Sequence, residues 1–289
     1  MSVDTVSVLY FDLEENSVSK KHHFDYMQYI GGVGLSLKLL EDNFEKDPLI
    51  FSVGPFSGVY PYASKTCLMF MHGGNIKEYY LGGRLATALR FSGVSAVVIN
   101  GYAQKSASLN ISSDESNFGS SHNDYSIHPE ATVLEILNEK LLIDSKFGIT
   151  SSLPYRKFIE KGLKKISIIG DGEIEVFDYQ GYQEAYEDLN EQINKVEVKP
   201  STHISCSGCP VGCGFAVKGE VGTSSFLSHC LVSCTFADTI YTDIPTIYRG
   251  LSVLGYSYTH EDLEFLEGKI LELKGHIYEK ITDRKLETK

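Results

Sequence analysis

The stretch Pro48-Leu49-Ile50-Phe51-Ser52-Val53-Gly54-Pro55 is an apolar run that ends at a glycine and a second proline. A short apolar run between turn-forming residues is typical of a strand that is buried on both faces. Such a strand needs neighbours in its sheet and a cover on each side. We therefore expect a buried β-sheet in the N-terminal half of the chain.

Further strands are predicted on both sides of this run. Residues 6–13 are apolar and end at the polar turn 14–17, after which residues 18–24 are expected to return as the second arm of a hairpin. Apolar or alternating patterns predict the other strands, which are 66–71, 96–101, 107–111 as a neighbour of 96–101, and a hairpin of 165–170 with 173–177 around Asp171-Gly172.

Helical spacing of apolar residues predicts short helices between the strands and a helical second half. The polar segment 112–126 is expected to be a loop. The predicted helices are 35–40, 85–91, 132–142, 184–196 and most of 239–289.

The composition of the chain changes after Asp178, where a charged helix replaces the strand patterns. The expected division is a sheet domain at 1–178, a helical connector at 179–200 and a smaller all-α domain at 201–289. The predicted fold class is α+β, because the strands and the helices segregate along the sequence.

Three cysteines in the run Cys206-Ser-Gly-Cys209-Pro-Val-Gly-Cys213 predict a metal centre. The glycines and the proline disfavour helix and strand there, so the three sulfurs can converge, as they do around an iron–sulfur cluster. The fourth thiolate that a 4Fe–4S cluster needs is Cys230 or Cys234. The alternatives are a zinc site and buried cysteines that bind no metal.

The charge and the length of the chain exclude some classes of protein. A formal net charge of −12 over 289 residues argues against non-specific nucleic-acid binding. Apolar runs also fall short of the roughly 18 residues of a membrane span. Clustered thiols without a leader sequence predict a reducing, cytoplasmic location.

Two glycine motifs are candidate anion sites. Gly31-Gly32-Val33-Gly34 precedes a predicted helix, and Gly82-Gly83-Arg84 combines close backbone approach with a guanidinium that can hold a phosphate. A tight turn before a helix explains either motif equally well.

The last predicted helix has a stripe of apolar residues at three- and four-residue steps. This stripe either packs on its own domain or docks a partner chain or a second copy. Its members are Leu263, Leu266, Ile270, Leu273, Ile277 and Ile281.

In their order and spacing, these motifs resemble the tungsten- or molybdopterin-dependent aldehyde ferredoxin oxidoreductases. The resemblance implies a sheet domain that carries a bis-pterin metal cofactor, helical domains that cover it, and a 4Fe–4S cluster that passes electrons to ferredoxin or another redox subunit. It implies cluster ligands at Cys206, Cys209, Cys213 and Cys234, the last because Asp238-Thr239-Ile240 follows it. It also implies a pterin-facing surface formed by Gly82, Gly83, Arg84 and Lys65.

The chain departs from the family pattern mainly at the pterin. Lys65 replaces an expected arginine, Tyr80 replaces an asparagine, and residues 151–157 replace a glycine-rich phosphate cradle. The prediction is a shortened iron–sulfur member of the family that acts as an electron-transfer or accessory subunit. The alternatives are an active tungsten- or molybdenum-pterin aldehyde oxidoreductase, and a non-enzymatic zinc-binding or interaction scaffold.

Overall fold

The computed structural model describes residues 5–119, 124–149, 151–192, 205–209, 212–213, 225–231, 234 and 237–287. These residues form two six-stranded sheets and a set of helices, most of which follow the second sheet in the chain. The α+β class predicted from the sequence is confirmed.

Sheet A, the first sheet, has the strand order β2-β1-β6-β3-β4-β5. Only β1 and β6 pair in parallel, and every other neighbouring pair is antiparallel. Its strands are β1 (Val6–Asp12), β2 (Ser17–His23), β3 (Leu49–Ser52), β4 (Thr66–His72), β5 (Asn75–Leu81) and β6 (Ala96–Asn100).

Sheet A is covered on both faces, as the apolar run at residues 48–55 predicts. Along β3, Ile50 packs with the helical layer, whereas Leu49 and Phe51 pack toward the second sheet. The same alternation occurs in β4, where Met69 faces the helices and Phe70 faces the second sheet. Because successive side chains of a strand point to opposite faces, a strand covered on both sides has no polar positions to alternate with.

Sheet B, the second sheet, has the order β11-β10-β9-β12-β7-β8. Its central strand β12 pairs in parallel with β7 and antiparallel with β9. Its strands are β7 (Ala107–Ile111), β8 (Ser116–Phe118), β9 (Thr132–Leu137), β10 (Lys140–Ile143), β11 (Phe147–Gly148) and β12 (Leu163–Ile168).

Sheet B is where the sequence predictions fail most. Residues 132–142, predicted as a helix, are the hairpin β9–β10, because Asn138 and Glu139 adopt positive φ (50° and 60°) and turn the chain back on itself. Strand β7 is not a neighbour of β6 but belongs to sheet B. Residues 173–177 form no strand, so the hairpin predicted around Asp171-Gly172 is also wrong.

The helices form the third layer, on the opposite side of sheet A from sheet B, except for α2 and α3, which lie on the sheet B side. They are α1 (Gly32–Asp42), α2 (Leu85–Phe91), α3 (Ser152–Glu160), α4 (Tyr179–Gln192), α5 (Phe226–Leu231), α6 (Ala237–Ile240), α7 (Ile244–Val253), α8 (His260–Glu264) and α9 (Leu266–Glu287).

The apolar stripe of the last helices packs on this chain itself. All six of its side chains are at most 5% exposed and belong to the core that α1 and sheet A share. The hypothesis that this stripe docks a partner chain or a second copy is therefore wrong. Among the described residues, no helix is long and apolar enough to cross a membrane.

Candidate metal centre

The cysteine loop is fixed to the turn that precedes α2. The backbone amide of Ser207 donates a hydrogen bond of 2.9 Å to the carbonyl oxygen of Gly83, and the Thr87 hydroxyl lies 3.3 Å from the Ser207 hydroxyl. Within the loop, the amide of Cys209 donates to the carbonyl oxygen of Cys206 at 3.1 Å. The loop is thus held at one edge of sheet A, where β4 begins and β5 ends.

A buried lysine lies beside this loop. The side chain of Lys65 is 1% exposed and directly precedes β4. Burial lowers the pKa of Lys65, and the nearby sulfurs of four cysteines act in the opposite direction; they are those of Cys206, Cys234, Cys213 and Cys209. All four sulfurs that the family resemblance nominates are therefore near enough to one ammonium group to act on it electrostatically.

Several groups offset part of the cost of placing negative charge on the sulfur of Cys206, although burial keeps the pKa of this thiol raised on balance. Burial raises the pKa of the Cys206 thiol, while Lys65, the backbone amide of Gly83 and the hydroxyl of Ser64 lower it. Hydrogen bonds and a cation directed at a sulfur stabilise the thiolate, which is the form that binds metal.

The core also brings the cysteines together from both sides of sheet A. Cys206 belongs to the core between the two sheets, Cys234 to the core under the helices, and Cys209 packs against both. Tyr62 is 1% exposed and takes a positive φ of 61°, and its pKa is raised by burial and by the neighbouring Cys209 and Cys234. The candidate centre is therefore at the junction of the two cores.

Cys230 lies elsewhere. It is fully buried in α5, the backbone amide of Gly34 donates to its sulfur, and burial raises its pKa to about 12. The sulfur would lie 3.0 Å from a Cβ at Gly34, at the start of α1. Of the two cysteines that the sequence left open, Cys234 is near Lys65 and Cys230 faces α1.

The four thiols do not yet form a coordination shell. Among the described residues, no group of three or more His, Cys, Asp or Glu side chains is arranged to hold a metal ion. The donor set itself suits iron–sulfur clusters or zinc, since thiolates are the soft ligands that both prefer. The sulfurs near Lys65 would therefore have to move closer together to bind a metal.

The residues of the Gly82-Gly83-Arg84 motif contact two different parts of the molecule. Both glycines are buried, and Gly83 contacts the cysteine loop as described above. The guanidinium of Arg84 turns toward sheet B, where its Nε donates to Asp144 at 2.9 Å and its Nη2 donates to the carbonyl oxygen of Ala131 at 2.8 Å. The sequence placed this arginine on the pterin side, but its guanidinium holds the two sheets together.

The face of sheet A next to Lys65 is filled by this chain. A Cβ at Gly54 would lie 2.3 Å from the backbone carbon and oxygen of Leu231, so α5 touches the sheet at the end of β3. Residues Gly31 to Gly34 are buried under the same helix, and their role is a tight, covered turn rather than an anion site. The residues on this face, as described, do not fit a bis-pterin.

The segment that replaces the expected glycine cradle is a helix on the other side of the molecule. Ser151 caps α3 by accepting a hydrogen bond from the amide of Leu153 at 3.3 Å, and α3 packs on β10 and β12 of sheet B.

A second polar cluster, formed by the buried Tyr80, the partly exposed Glu78 and His229 of α5, was missed from the sequence. The Tyr80 hydroxyl donates to Glu78 at 2.5 Å, and Nδ1 of His229 lies 3.6 Å from the same carboxylate oxygen. Burial raises the pKa of Glu78 and lowers that of His229 to about 4. Glu78 and Tyr80 sit in a strand of mixed polarity, which gives no periodic signal for a buried site.

Comparison with known families agrees with this architecture. Residues 8–146 match the model of the aldehyde ferredoxin oxidoreductase N-terminal domain. This chain carries an aldehyde ferredoxin oxidoreductase N-terminal domain. The family resemblance found in the sequence is confirmed over residues 8–146, and sheet A with the first part of sheet B makes up this domain.

The similarity to a solved structure extends past that domain. A solved structure of the active-site complex BamBC of benzoyl coenzyme A reductase, with 1,5-dienoyl-CoA, matches with a TM-score of 0.63 over 90% of this chain. The sequence identity is 16%, so the likeness shows the fold alone. This chain covers 59% of the length of that one.

Proposed function

We propose that this protein binds a 4Fe–4S cluster through Cys206, Cys209, Cys213 and Cys234 and acts as an electron-transfer or accessory subunit. The observation that supports the proposal is that Cys206, Cys209 and Cys234 pack at the junction of the two cores, where all four sulfurs act electrostatically on the buried ammonium of Lys65. When bound, the cluster would supply one-electron transfer.

The charge of the site favours a bound cluster over four cysteines that bind no metal. Four cysteine thiolates with their irons and sulfides carry net negative charge, and burying that charge needs a counter-ion or hydrogen-bond donors. Lys65 supplies the counter-ion, and the amide of Gly83 and the hydroxyl of Ser64 supply donors. Both kinds of compensation are present on the protein side of the site.

The covered face of sheet A argues for a role without the pterin. Several phosphates would need backbone donors and cations at that face, yet α5 occupies it and Arg84 is engaged with sheet B. Electrons would then come from, or pass to, a separate subunit or a ferredoxin. The BamBC complex is a multi-component assembly of similar fold, which is in keeping with a partner subunit.

Metal analysis tests the proposal. Protein purified or reconstituted without oxygen should hold about four iron atoms and four sulfides per chain and be brown. It should contain neither tungsten nor molybdenum. A colourless protein that takes up no iron under these conditions would refute the cluster, and stoichiometric zinc would indicate the scaffold alternative.

The second candidate is a tungsten- or molybdenum-pterin aldehyde oxidoreductase, favoured by the match of residues 8–146 to the family domain. It predicts a stoichiometric metal–pterin and reduction of a viologen dye by small aldehydes. Finding the iron without the pterin would leave the first proposal in place. Finding both together would replace it.

A further inference from the structure

A cavity lies at the far end of sheet A from the cysteines. It has a volume of about 460 Å³ and is enclosed by three separate parts of the chain, namely the β4–β5 turn, the last turns of α9, and a group formed around Asp47. Lys65 precedes β4 and His72 ends it, so the strand separates the two sites by about 20 Å at ~3.3 Å per residue.

The cavity is cationic in an acidic protein. Its walls carry Lys157, Arg284 and Lys285 against the carboxylates of Asp47 and Glu160, three positive charges to two negative. The chain as a whole has a net charge of −12. A local excess of positive charge on such a surface attracts anions to this place.

The carboxylate of Asp47 is already compensated by neighbouring side chains. It accepts hydrogen bonds from Lys157 and from the Tyr102 hydroxyl, and Nζ of Lys161 lies 3.8 Å from it. Lys161 is fully buried and donates to the carbonyl oxygen of Gly101 at 2.9 Å. With Lys161 included, the cations around the cavity number four against two carboxylates.

Arg284 and Lys285 lie in the last turn of α9. Cations at this position also interact favourably with the helix dipole. The helix end does not explain the rest of the arrangement. The Lys157 side chain is only 4% exposed and reaches the same cavity from α3. The turn at Gly74, with φ of +72°, brings backbone so close that a Cβ there would lie 2.8 Å from Nζ of Lys285.

The rest of the lining is mostly apolar and partly aromatic, with His72 as a further polar side chain. The Arg284 guanidinium lies over the Phe44 ring at 5.6 Å, and Met71, Ile281 and the Tyr102 ring also line the walls. A cavity of this volume with apolar walls and a few convergent polar groups has the properties of a small-molecule site. The ligand needs an apolar body and a strongly anionic group.

We propose that this cavity, which we call the distal cavity, binds a small phosphomonoester whose apolar body contacts Phe44 and Met71 and whose phosphate meets Lys157, Arg284 and Lys285. A phosphomonoester carries a charge of about −1.5 to −2 at neutral pH, which matches several cations better than a carboxylate does. This site is independent of the cysteines and of any cluster.

Calorimetric titration with phenyl phosphate, inorganic phosphate and benzoate tests the proposal. Phenyl phosphate should bind once per chain and at least tenfold more tightly than the other two. The double variant Arg284→Gln/Lys285→Gln should weaken phenyl phosphate at least tenfold, because it removes two of the contacts to the phosphate. The control Lys140→Gln/Lys164→Gln removes two exposed lysines of sheet B with the same change in net charge, and should bind as the wild type does.

Several results would overturn the proposal. They are no binding of phenyl phosphate, equal affinity in the double variant and the wild type, or benzoate binding as tightly as phenyl phosphate. If inorganic phosphate binds as tightly as phenyl phosphate, the apolar walls contribute nothing to binding and that part of the proposal is wrong. Arg284 and Lys285 are exposed, so folding should be retained. If the double variant is nevertheless unstable, the single variant Lys285→Glu supplies the same comparison.

Discussion

The amide of Ser207 and the carbonyl oxygen of Gly83 form a hydrogen bond of 2.9 Å that ties the cysteine loop to the turn before α2. The amide of Gly83 in turn stabilises the thiolate of Cys206. One residue of the glycine motif thus contacts the loop through both its carbonyl oxygen and its amide. The position of the sulfurs therefore depends on the backbone conformation at Gly83.

Gly83→Ala should destabilise the protein and disturb the loop. Gly83 has φ of +70°, and a Cβ there would lie 3.0 Å from the Phe147 ring and 3.2 Å from Ile143. Backbone strain costs about 1 kcal/mol or more, and the contact with Phe147 adds to it. Urea unfolding should show a loss of about 2 kcal/mol, with reduced iron uptake.

Gly73→Ala is the matched control for this substitution. Gly73 has φ of +60°, and a Cβ there would meet nothing within 4 Å. Gly73→Ala should therefore show the cost of backbone strain without a steric contact, and its iron uptake should stay at the wild-type level. Equal losses of stability and of iron in the two variants would contradict the role given to Gly83.

Cys234→Ser should abolish stable cluster binding, because it removes one of the four thiols around Lys65. Cys230→Ser is the comparison, since that sulfur lies under α1 and receives the amide of Gly34. Iron and sulfide are measured per folded chain, so that lower stability from either substitution does not count as lost ligation. Full iron in Cys234→Ser together with loss in Cys230→Ser would reverse the assignment of the fourth ligand.

Lys65→Met should lower the reduction potential of the cluster. Reduction adds negative charge, and a buried cation nearby stabilises the reduced state more than the oxidised one. We expect a shift of roughly 60 mV to more negative values, which is tenfold in a one-electron equilibrium. Lys65→Arg keeps the charge and should stay near the wild type. A redox titration followed by EPR measures both variants, and an unchanged potential in Lys65→Met would contradict the prediction.

Strands β1, β3, β4 and β6 of sheet A could be predicted from the sequence because they are largely apolar runs, whereas β5, a strand of mixed polarity, was not predicted. Strand β3 and helix α2 were found nearly to the residue for this reason. Sheet B was not predictable in the same way. Its hairpin β9–β10 has apolar residues at spacings that also suit a helix, and its turn uses Asn138 and Glu139 rather than glycine.

The candidate site shows the same division. The spacing of the three clustered cysteines was visible in the sequence, but their common neighbour Lys65 lies more than a hundred residues earlier. The direction of the Arg84 side chain depends on Asp144, which belongs to a hairpin that the sequence misassigned. Polar groups that pair over long distances in the sequence leave no periodic signal. When a helix or strand is assigned wrongly, the partners of its side chains are therefore placed wrongly too.

The buried Lys161 should make stability rise with pH above about 8. Burial lowers the pKa of Lys161 from 10.5 to about 8, with Asp47 opposing the shift. Between these values the unfolded chain binds a proton that the folded chain does not, so alkaline pH favours the folded state. Below pH 8 the full cost of burying the charge is present, about 3 kcal/mol at 1.36 kcal/mol per unit.

Lys161→Met removes this pH dependence. Urea unfolding from pH 7 to pH 10 should show the wild type gaining stability relative to Lys161→Met as the pH rises. Lys164→Met, which removes an exposed lysine three residues further along the chain in β12, should run parallel to the wild type. Parallel profiles for Lys161→Met and the wild type would contradict the assignment.

The last helix should contribute to stability rather than to association through its apolar stripe. Ile277 is fully buried in the core shared with α1, so Ile277→Ala should cost about 2 to 5 kcal/mol of unfolding free energy. Leu271 lies on the same helix and is 52% exposed, and Leu271→Ala should change stability by less than about 0.5 kcal/mol. Neither variant should change the molar mass measured by light scattering unless association uses the exposed side of α9. A loss of association in Ile277→Ala without a loss of stability would show that the stripe is an interface after all.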